Sequence, residues 1–427
     1  MASAPVKMPP RTAGRTGHDP LLSVDAAFAA AIAEATPVTE TERLPLTAAM
    51  GRVMAADVAS AIPLPPFANS AVDGFAISAA DIGRPPPVRL RLVGRAKAGT
   101  AVDMEFRAGE AFRVYTGGGI PRGGVSVVPE ELCEIENGSI TITTATTADM
   151  NIRHQGEDVP AGAAIVKTGT WIDARTIAIL AAAGLDRVEV RRRVRVAILS
   201  SGDELRAPGM PLDAGAIYDS NFPMLAALLA RPWIEIVETR RVRDDLATLV
   251  ETIRDAAGKS DVIISSGGAS RSETDLIARA VAEAGGRAAP LRVAVRPGKP
   301  VVVARLGDTA ILGLPGNPVA ALVNFLLYGR ALLSRCAGMA AERPRGQPAL
   351  AAAPMNHKQG KTEFAPARIM GYDPEGRPLV EKISRAGSSR LMPLMRADGL
   401  VEIPEHMGEV ASGETMRFHA FAASSGW

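Results

Sequence analysis

Residues Ile311 to Ala320 read ILGLPGNPVA. The pattern predicts a buried strand over Thr309–Leu314, a tight turn, and a helix from Pro318 to about Leu333. Asn317 has the chemistry of an N-cap, and Pro318 suits the first helical position, where a missing N–H costs nothing. Gly316 lets backbone approach a ligand closely, and a helix N-terminus offers free N–H groups to an anion. An ordinary capped helix after a strand is the plainer reading of this loop alone. Two further glycine loops, SSGG at Ser265–Gly268 and RPGKP at Arg296–Pro300, change the balance. Three such loops, each beside an expected strand, suggest one anion-binding crevice.

Outward from this loop the rhythm is β-α-β. VRVAILS from Val194 leads into SSGDEL, which carries Ser200, Ser201, Gly202 and Glu204. A helix at Asn221–Ala230 follows Ser220, and WIEIVETRRV precedes a helix opened by Asp244 and ending near Gly258. DVIISSGG precedes a helix at Glu273–Ala284, and strands are expected near Ala288–Val295 and Val301–Leu306. Alternation at this spacing indicates a doubly wound parallel sheet with helices on both faces, placed at 193–338. Ligands bind such sheets beyond the carboxyl ends of the strands, where SSGDEL, SSGG and LPGNP all lie.

The rest of the chain divides around that domain into a multidomain α/β protein. Residues 1–19 read as a basic tail. Helices are expected at Leu21–Thr36, capped by Ser23, at Leu46–Met54, and at Ala174–Ala183, capped by Asp173. They suggest a helical domain split into 20–58 and 155–192. An inserted β domain at 59–154 holds short alternating strands, the Asp73-Gly74 turn and the loop Thr116-Gly117-Gly118-Gly119. It leads to the polar turn that carries Glu157 and Asp158. After a proline-rich linker, 339–427 reads as a small β barrel.

The full chain has 427 residues, 47% of them hydrophobic, which is enough for several cores. A net charge of +2 makes no global case for nucleic acid or an anionic membrane, so anion affinity has to be local. Cys133 and Cys336 stand far apart and offer no disulfide framework and no paired metal ligands. No apolar run is read as reaching the ~18 residues that span a bilayer. The N-terminus lacks a signal-peptide core. A cytoplasmic protein is expected.

FANSAVDGFA, TGGGIPRGGVSVV, IRHQGEDV, ILSSGDEL, SNFPML, SSGGASRSETD, RPGKP and GLPGNPVAA occur in this order. In that order they resemble the molybdopterin molybdenumtransferase family, which includes bacterial MoeA proteins and the E domain of gephyrin. The resemblance covers about Leu21 to Trp427. It implies insertion of molybdate into adenylylated molybdopterin with release of AMP, in homodimers of four-domain chains, with the sheet domain holding the nucleotide-bearing pterin. Implied catalytic residues are Asp73, Thr116, Asp158, Glu204 and Asp275. The implied binding set is Ser200, Ser201, Gly202, Ser265, Gly267, Gly268, Arg296, Gly298, Lys299, Pro315, Gly316, Asn317, Pro318 and Ser388. Magnesium (Mg2+) is the implied cation, with Glu204 and Asp275 as its ligands. Further partners are a molybdopterin adenylyltransferase and molybdoenzymes or their chaperones.

Chemistry explains why these residue types are wanted. A pyrophosphate beside a molybdate dianion needs its charge offset by Lys299, Arg296 and helix N-termini. A magnesium ion takes one or two carboxylates plus phosphate and water oxygens, and Glu204, Asp275, Asp158 and Asp73 are the candidates. Plainer roles stand beside these. Asp275 with Ser272 has the spacing of a capping box, Asp73-Gly74 that of a turn, and Ser388 that of a turn serine. Asp158 could close its own loop, and Asp203 with Glu204 could be a solvated turn. The chain also departs from the family pattern at Ala269–Ser272, at Val125, and at Arg296, where lysine is usual. Two other functions fit the architecture: the adenylyltransferase that makes the activated pterin, and a receptor-clustering scaffold.

Overall fold

The computed structural model describes residues 21–99, 105, 107–267, 271–384 and 387–421, and within these the side chains of 271–275 are left aside. The chain forms two compact units, one of residues 1–40 and 191–427, the other of 41–190.

The first unit is built on a six-stranded sheet. Its strands are β1 Val194–Ser201, β2 Ile234–Val242, β3 Val262–Gly267, β4 Arg287–Arg292, β5 Pro300–Leu306 and β6 Thr309–Leu314, in the spatial order β2-β1-β3-β6-β5-β4. The β2, β1, β3 and β6 strands run parallel, whereas β5 pairs antiparallel with both β6 and β4. The expected parallel sheet thus holds for four strands and gains an antiparallel edge. β5 leads directly into β6 through a short hairpin at Gly307, too short for the crossover a parallel partner requires. The reversal brings the start of β5, and the RPGKP loop before it, to the carboxyl end of β6.

Strand side chains alternate between faces, so a strand buried at every position must be covered twice. β6 is buried throughout. On one face Leu249 and Ile253 of α3 (Leu246–Ala257) and Ile277 and Val281 of α4 (Arg271–Glu283) pack on Ala197, Leu199, Ile263 and Ile311. On the other, α2 (Asn221–Leu229) contacts β1 and the helix that follows β6. That helix runs as α over Pro318–Asn324, as one π turn over Phe325–Gly329, and as α again over Arg330–Cys336. It is long and apolar enough to cross a membrane, contrary to the sequence reading, but 83% of its apolar window is buried inside the protein. Its hydrophobicity serves the core.

One expected helix start is corrected, and a second, at Asn221, is borne out with a different bond. α3 is capped by Asp245, whose Oδ2 accepts from the Thr248 N–H at 2.8 Å, and Asp244 lies outside the helix. α2 receives no capping bond from Ser220; Asp219 Oδ1 accepts from the Phe222 N–H at 3.0 Å instead. The N-terminal helix, Val24–Ala33, is capped by Ser23 as expected.

The C-terminal part is a closed barrel. β7 Gln347–Ala351, β8 Thr362–Tyr372, β9 Pro378–Lys382, β10 Gly399–Ile403 and β11 Thr415–Ala420 close through the β8–β10 pairing around Phe418, Met416, Val401 and Val380. The short strand Val295–Arg296 adds to it in parallel, Arg296 opposite Glu363.

The second unit carries a sheet in which Gly74–Ser78 is central, between Gly124–Pro129 and Glu110–Val114. Phe75 and Ile77 pack into one core, Ala76 with Phe112 and Val127 into another. The helix Ala174–Ala182 is capped by Asp173, as expected. The expected helix at Leu46–Met54 is only a 3-10 turn, Leu46–Ala48. Gly51 takes a left-handed φ of 73°, and Val53 and Met54 bridge to Trp171 and Val190 as extended backbone.

Candidate functional site

The first unit has a cavity of about 340 Å³ at the carboxyl end of β6. Its wall includes Gly267 from the SSGG loop, Arg296 and Gly298 from RPGKP, and Pro315, Gly316 and Asn317 from LPGNP. Three separate sequence motifs therefore meet at one place. The barrel closes the opposite side with Glu363, Phe364, Ala365 and Pro366 of β8, and Gly387 and Ser388 complete the wall. Nothing in the local pattern of EFAPARI marked that strand as part of a site. It becomes one only because the barrel packs there.

Each loop is held by specific bonds. Asn317 occupies the N-cap position, yet its side chain makes no capping bond. Of the helix N–H groups beyond it, that of Val319 donates to the Ser388 carbonyl at 3.0 Å. The helix N-terminus is thus partly taken up by the 387–390 turn rather than wholly open to an anion. Ser388, whose plainer reading was a turn serine, sits at the helix end and in the cavity wall. Asn221, read from the sequence only as the start of a helix, donates from Nδ2 to Ser266 Oγ at 2.8 Å and to the Gly316 carbonyl at 2.6 Å. Asn324 donates from Nδ2 to the Gly298 carbonyl at 3.2 Å. Gly298 has φ +97°, and a Cβ there would lie 1.9 Å from Asn324 Nδ2, so only glycine fits.

The remaining expected ligand residues are spread around this cavity. Ser200, Ser201 and Ser265 are buried at the ends of β1 and β3 and do not line it, and among the described residues the Ser200 and Ser265 hydroxyls have no hydrogen-bond partner. Lys299 and Pro318 do not line it either. The Lys299 carbonyl accepts from the Val293 N–H at 2.8 Å. Gly268 and the side chain of Asp275 lie outside the described residues.

A carboxylate group gathers beyond β1. Gly202 turns the chain with φ +154°, and Asp203 Oδ1 accepts from the Asp244 N–H at 3.4 Å. The Asp244 carboxyl is pushed above its ordinary value by burial first, then by the charges of Asp203 and Glu204, while a Ser201 hydrogen bond works the other way. Asp244 is the residue that sequence reasoning assigned to a helix start. Its signal, an acidic pair at the end of β2, was absorbed by the capping role that Asp245 performs. Among the described residues no group of three or more His, Cys, Asp or Glu is placed to hold a metal by itself. Such a donor set fits only a hard cation that also takes oxygens from a ligand.

In the second unit, Asp73 Oδ1 accepts from both the N–H and the hydroxyl of Thr116, at 2.7 and 2.8 Å. These donations, the backbone one first, hold the Asp73 carboxyl below its ordinary value. Two expected catalytic residues are therefore partners, 43 residues apart in sequence. Asp158 is exposed in the turn after Arg153, and its N–H donates to the Leu64 carbonyl at 3.1 Å.

Comparison with known proteins places three family regions along the chain. The MoeA N-terminal region (domain I and II) matches residues 22–184, a probable molybdopterin binding domain matches 197–335, and the MoeA C-terminal region (domain IV) matches 348–421. Molybdopterin molybdenumtransferase 2 of Mycobacterium tuberculosis is 34% identical over 389 residues, covering 88% of this chain and 93% of its own. Molybdopterin molybdenumtransferase of Haemophilus influenzae is 31% identical over 404 residues, covering 94% and 99%. The crystal structure of the molybdopterin biosynthesis moeA protein from Pyrococcus horikoshii OT3 superposes with a TM-score of 0.79 at 26% identity, over 94% of this chain and 100% of that one. The family regions cover most of the chain, and the relatives are 31–34% identical over 88–94% of it: the chain belongs to the molybdopterin molybdenumtransferase family.

Proposed function

We propose that this chain is a molybdenum insertase of molybdenum cofactor biosynthesis, which places molybdate into adenylylated molybdopterin and releases AMP. The observation that carries the reading is the convergence of SSGG, RPGKP and LPGNP on one cavity. Oriented backbone N–H groups and the Arg296 guanidinium suit a phosphate-bearing ligand. Gly267, Gly298, Pro315 and Gly316 bring backbone close to it, with Asn317 and Ser388 at the helix end. Ser200, Ser201, Gly202, Ser265, Gly268, Lys299 and Pro318 complete the proposed binding set.

Magnesium fits the carboxylates beyond β1. Glu204, with Asp244 beside it and Asp275 from α4, would hold the ion together with phosphate oxygens. Bound there, it would polarise the phosphoanhydride and neutralise charge on the departing AMP. Asp244, with its raised affinity for a proton, is suited to release that proton when a cation takes its place.

We further propose a homodimer acting in the cytoplasm. The catalytic residues Asp73, Thr116 and Asp158 of one chain would serve the cavity of its partner, with a molybdopterin adenylyltransferase and molybdoenzymes or their chaperones as pathway partners. The proposed divisions are 20–58 with 155–192, 59–154, 193–338 and 339–427. Light scattering at micromolar concentration should give twice the chain mass of 44.5 kDa; a single-chain mass would rule the shared site out. The activity test is AMP release from adenylylated molybdopterin, measured with and without molybdate and magnesium. Release that depends on both supports the insertase. A stable dimer that releases no AMP would favour a scaffold.

A further inference from the structure

We propose that two buried asparagines, Asn221 and Asn324, are positioning residues that set the spacing of the three glycine loops. Asn221 joins SSGG to LPGNP, and Asn324 fixes RPGKP to the helix that LPGNP opens. The inference rests on the anion-binding reading of the cavity and adds to it the side chains that hold the site in shape.

Both asparagines are costly to bury and earn their place only through these bonds. Asn324 is wholly buried and Asn221 is 7% exposed, and among the described residues the Oδ1 oxygen of each has no hydrogen-bond partner. A buried amide with one unmet acceptor is disfavoured against an apolar side chain of the same size, so packing alone does not explain either residue. What both do is donate. The Nδ2 group of Asn221 reaches Ser266 Oγ at 2.8 Å and the Gly316 carbonyl at 2.6 Å. The Nδ2 group of Asn324 reaches the Ala320 carbonyl, one turn back in its own helix, at 2.8 Å and the Gly298 carbonyl at 3.2 Å.

The consequence is geometric. Gly316 and Gly298 line the cavity, and the carbonyl of each accepts from an asparagine Nδ2 group. Carbonyl oxygens aimed at a phosphate would repel it; the same peptide units turned over present N–H groups instead. Asn324 lies two turns beyond Asn317 on one helix and just before its π turn, so the helix that offers its N-terminus to the ligand also grips the Arg296 loop. A π turn inside a helix often accompanies such a functional constraint. Arg296 stands two residues from the gripped carbonyl, and its placement in the cavity wall depends on that bond.

The test is a double-mutant cycle on pyrophosphate binding, measured by calorimetry on the full chain. Asn324→Thr keeps a hydroxyl donor for the Ala320 carbonyl within the helix and is too short to reach Gly298. It should weaken pyrophosphate roughly fivefold, the loss of one ordinary hydrogen bond's worth of placement. In an Arg296→Ala background the same change should cost less than about twofold, because the residue being positioned is gone. Asn221→Ala should weaken binding by a similar factor in either background, since its bonds run to Ser266 and Gly316. Unchanged binding by Asn324→Thr, or an equal factor with and without Arg296, overturns the inference and leaves the proposed function standing. An unaltered chain that binds no pyrophosphate overturns both.

Discussion

Two carboxylate settings in this protein stand in contrast. Asp73, in the second unit, is exposed and receives two donations from Thr116, which lower its proton affinity. Asp244, in the first unit, is partly buried beside Asp203 and Glu204, and its proton affinity is raised. The same functional group is thus stabilised as an anion in one place and crowded as one in the other. A settled anion suits a fixed electrostatic or hydrogen-bonding role. A crowded one, among other carboxylates, suits a site whose charge is completed by a cation. Under the proposed function, the difference would put the cation at the end of β1 and leave the Asp73 loop a role without metal.

The sharpest way to break that assignment is Glu204→Gln, which keeps shape and removes charge. Metal-dependent AMP release should fall by roughly 100-fold or more while the far-ultraviolet circular dichroism stays unchanged. Full activity would move the cation elsewhere.

Asp244→Asn should cost activity by about tenfold and yet leave the protein as stable or more stable near neutral pH, since a crowded charge is relieved. The sign follows from the raised folded-state value. Protonated Asp244 is favoured in the fold, so its contribution is fully present below the ordinary value of 3.8 and is lost as pH rises through the raised one. The melting temperatures of the two proteins should therefore diverge in favour of the variant on going from acid to neutral pH. Parallel curves would remove the contrast with Asp73.

Asp73 should show the opposite behaviour. Its contribution is present above 3.8 and is lost as pH falls through its lowered value. Thr116→Val removes the hydroxyl and keeps the N–H donor, so carboxyl titration by NMR should move Asp73 part of the way back up. AMP release should fall only about threefold. A change as large as that of Glu204→Gln would mean that Thr116 itself meets the ligand.

The smallest effect is expected at Ser388. Its carbonyl, not its hydroxyl, takes the Val319 N–H, so Ser388→Ala should leave the melting temperature unchanged. AMP affinity should drop about twofold to fivefold, the value of one ligand hydrogen bond. No change in affinity would reduce Ser388 to a backbone cap.

Local chemistry in the chain was enough for much of this. Strand β6 and its helix, the Ser23 and Asp173 caps, the barrel strands and the glycine loops all follow from hydrophobic period, proline and glycine placement and capping residues, which act over a few residues. Leu46–Met54 was misread because an alanine-rich run with Pro45 in front looks helical, while a left-handed Gly51 and pairing with Trp171 and Val190 decide otherwise. Asp244 and Asp245 are equally good caps on paper, and only the folded backbone, extended at Asp245 with the Thr248 N–H in reach, distinguishes them.

The order of the motifs alone placed the chain in its family and brought the RPGKP, SSGG and LPGNP loops together as candidates. Tertiary structure decided which of those residues share a wall. It reversed β5, turned barrel strand β8 and Ser388 into the far side of the cavity, and made Asn221 and Asn324 the links between loops. Such bonds join residues as many as 95 positions apart. A donor's sequence neighbourhood carries no record of a partner at that distance; the partner is chosen when sheet, helix and barrel pack, because a buried amide has to find a carbonyl there.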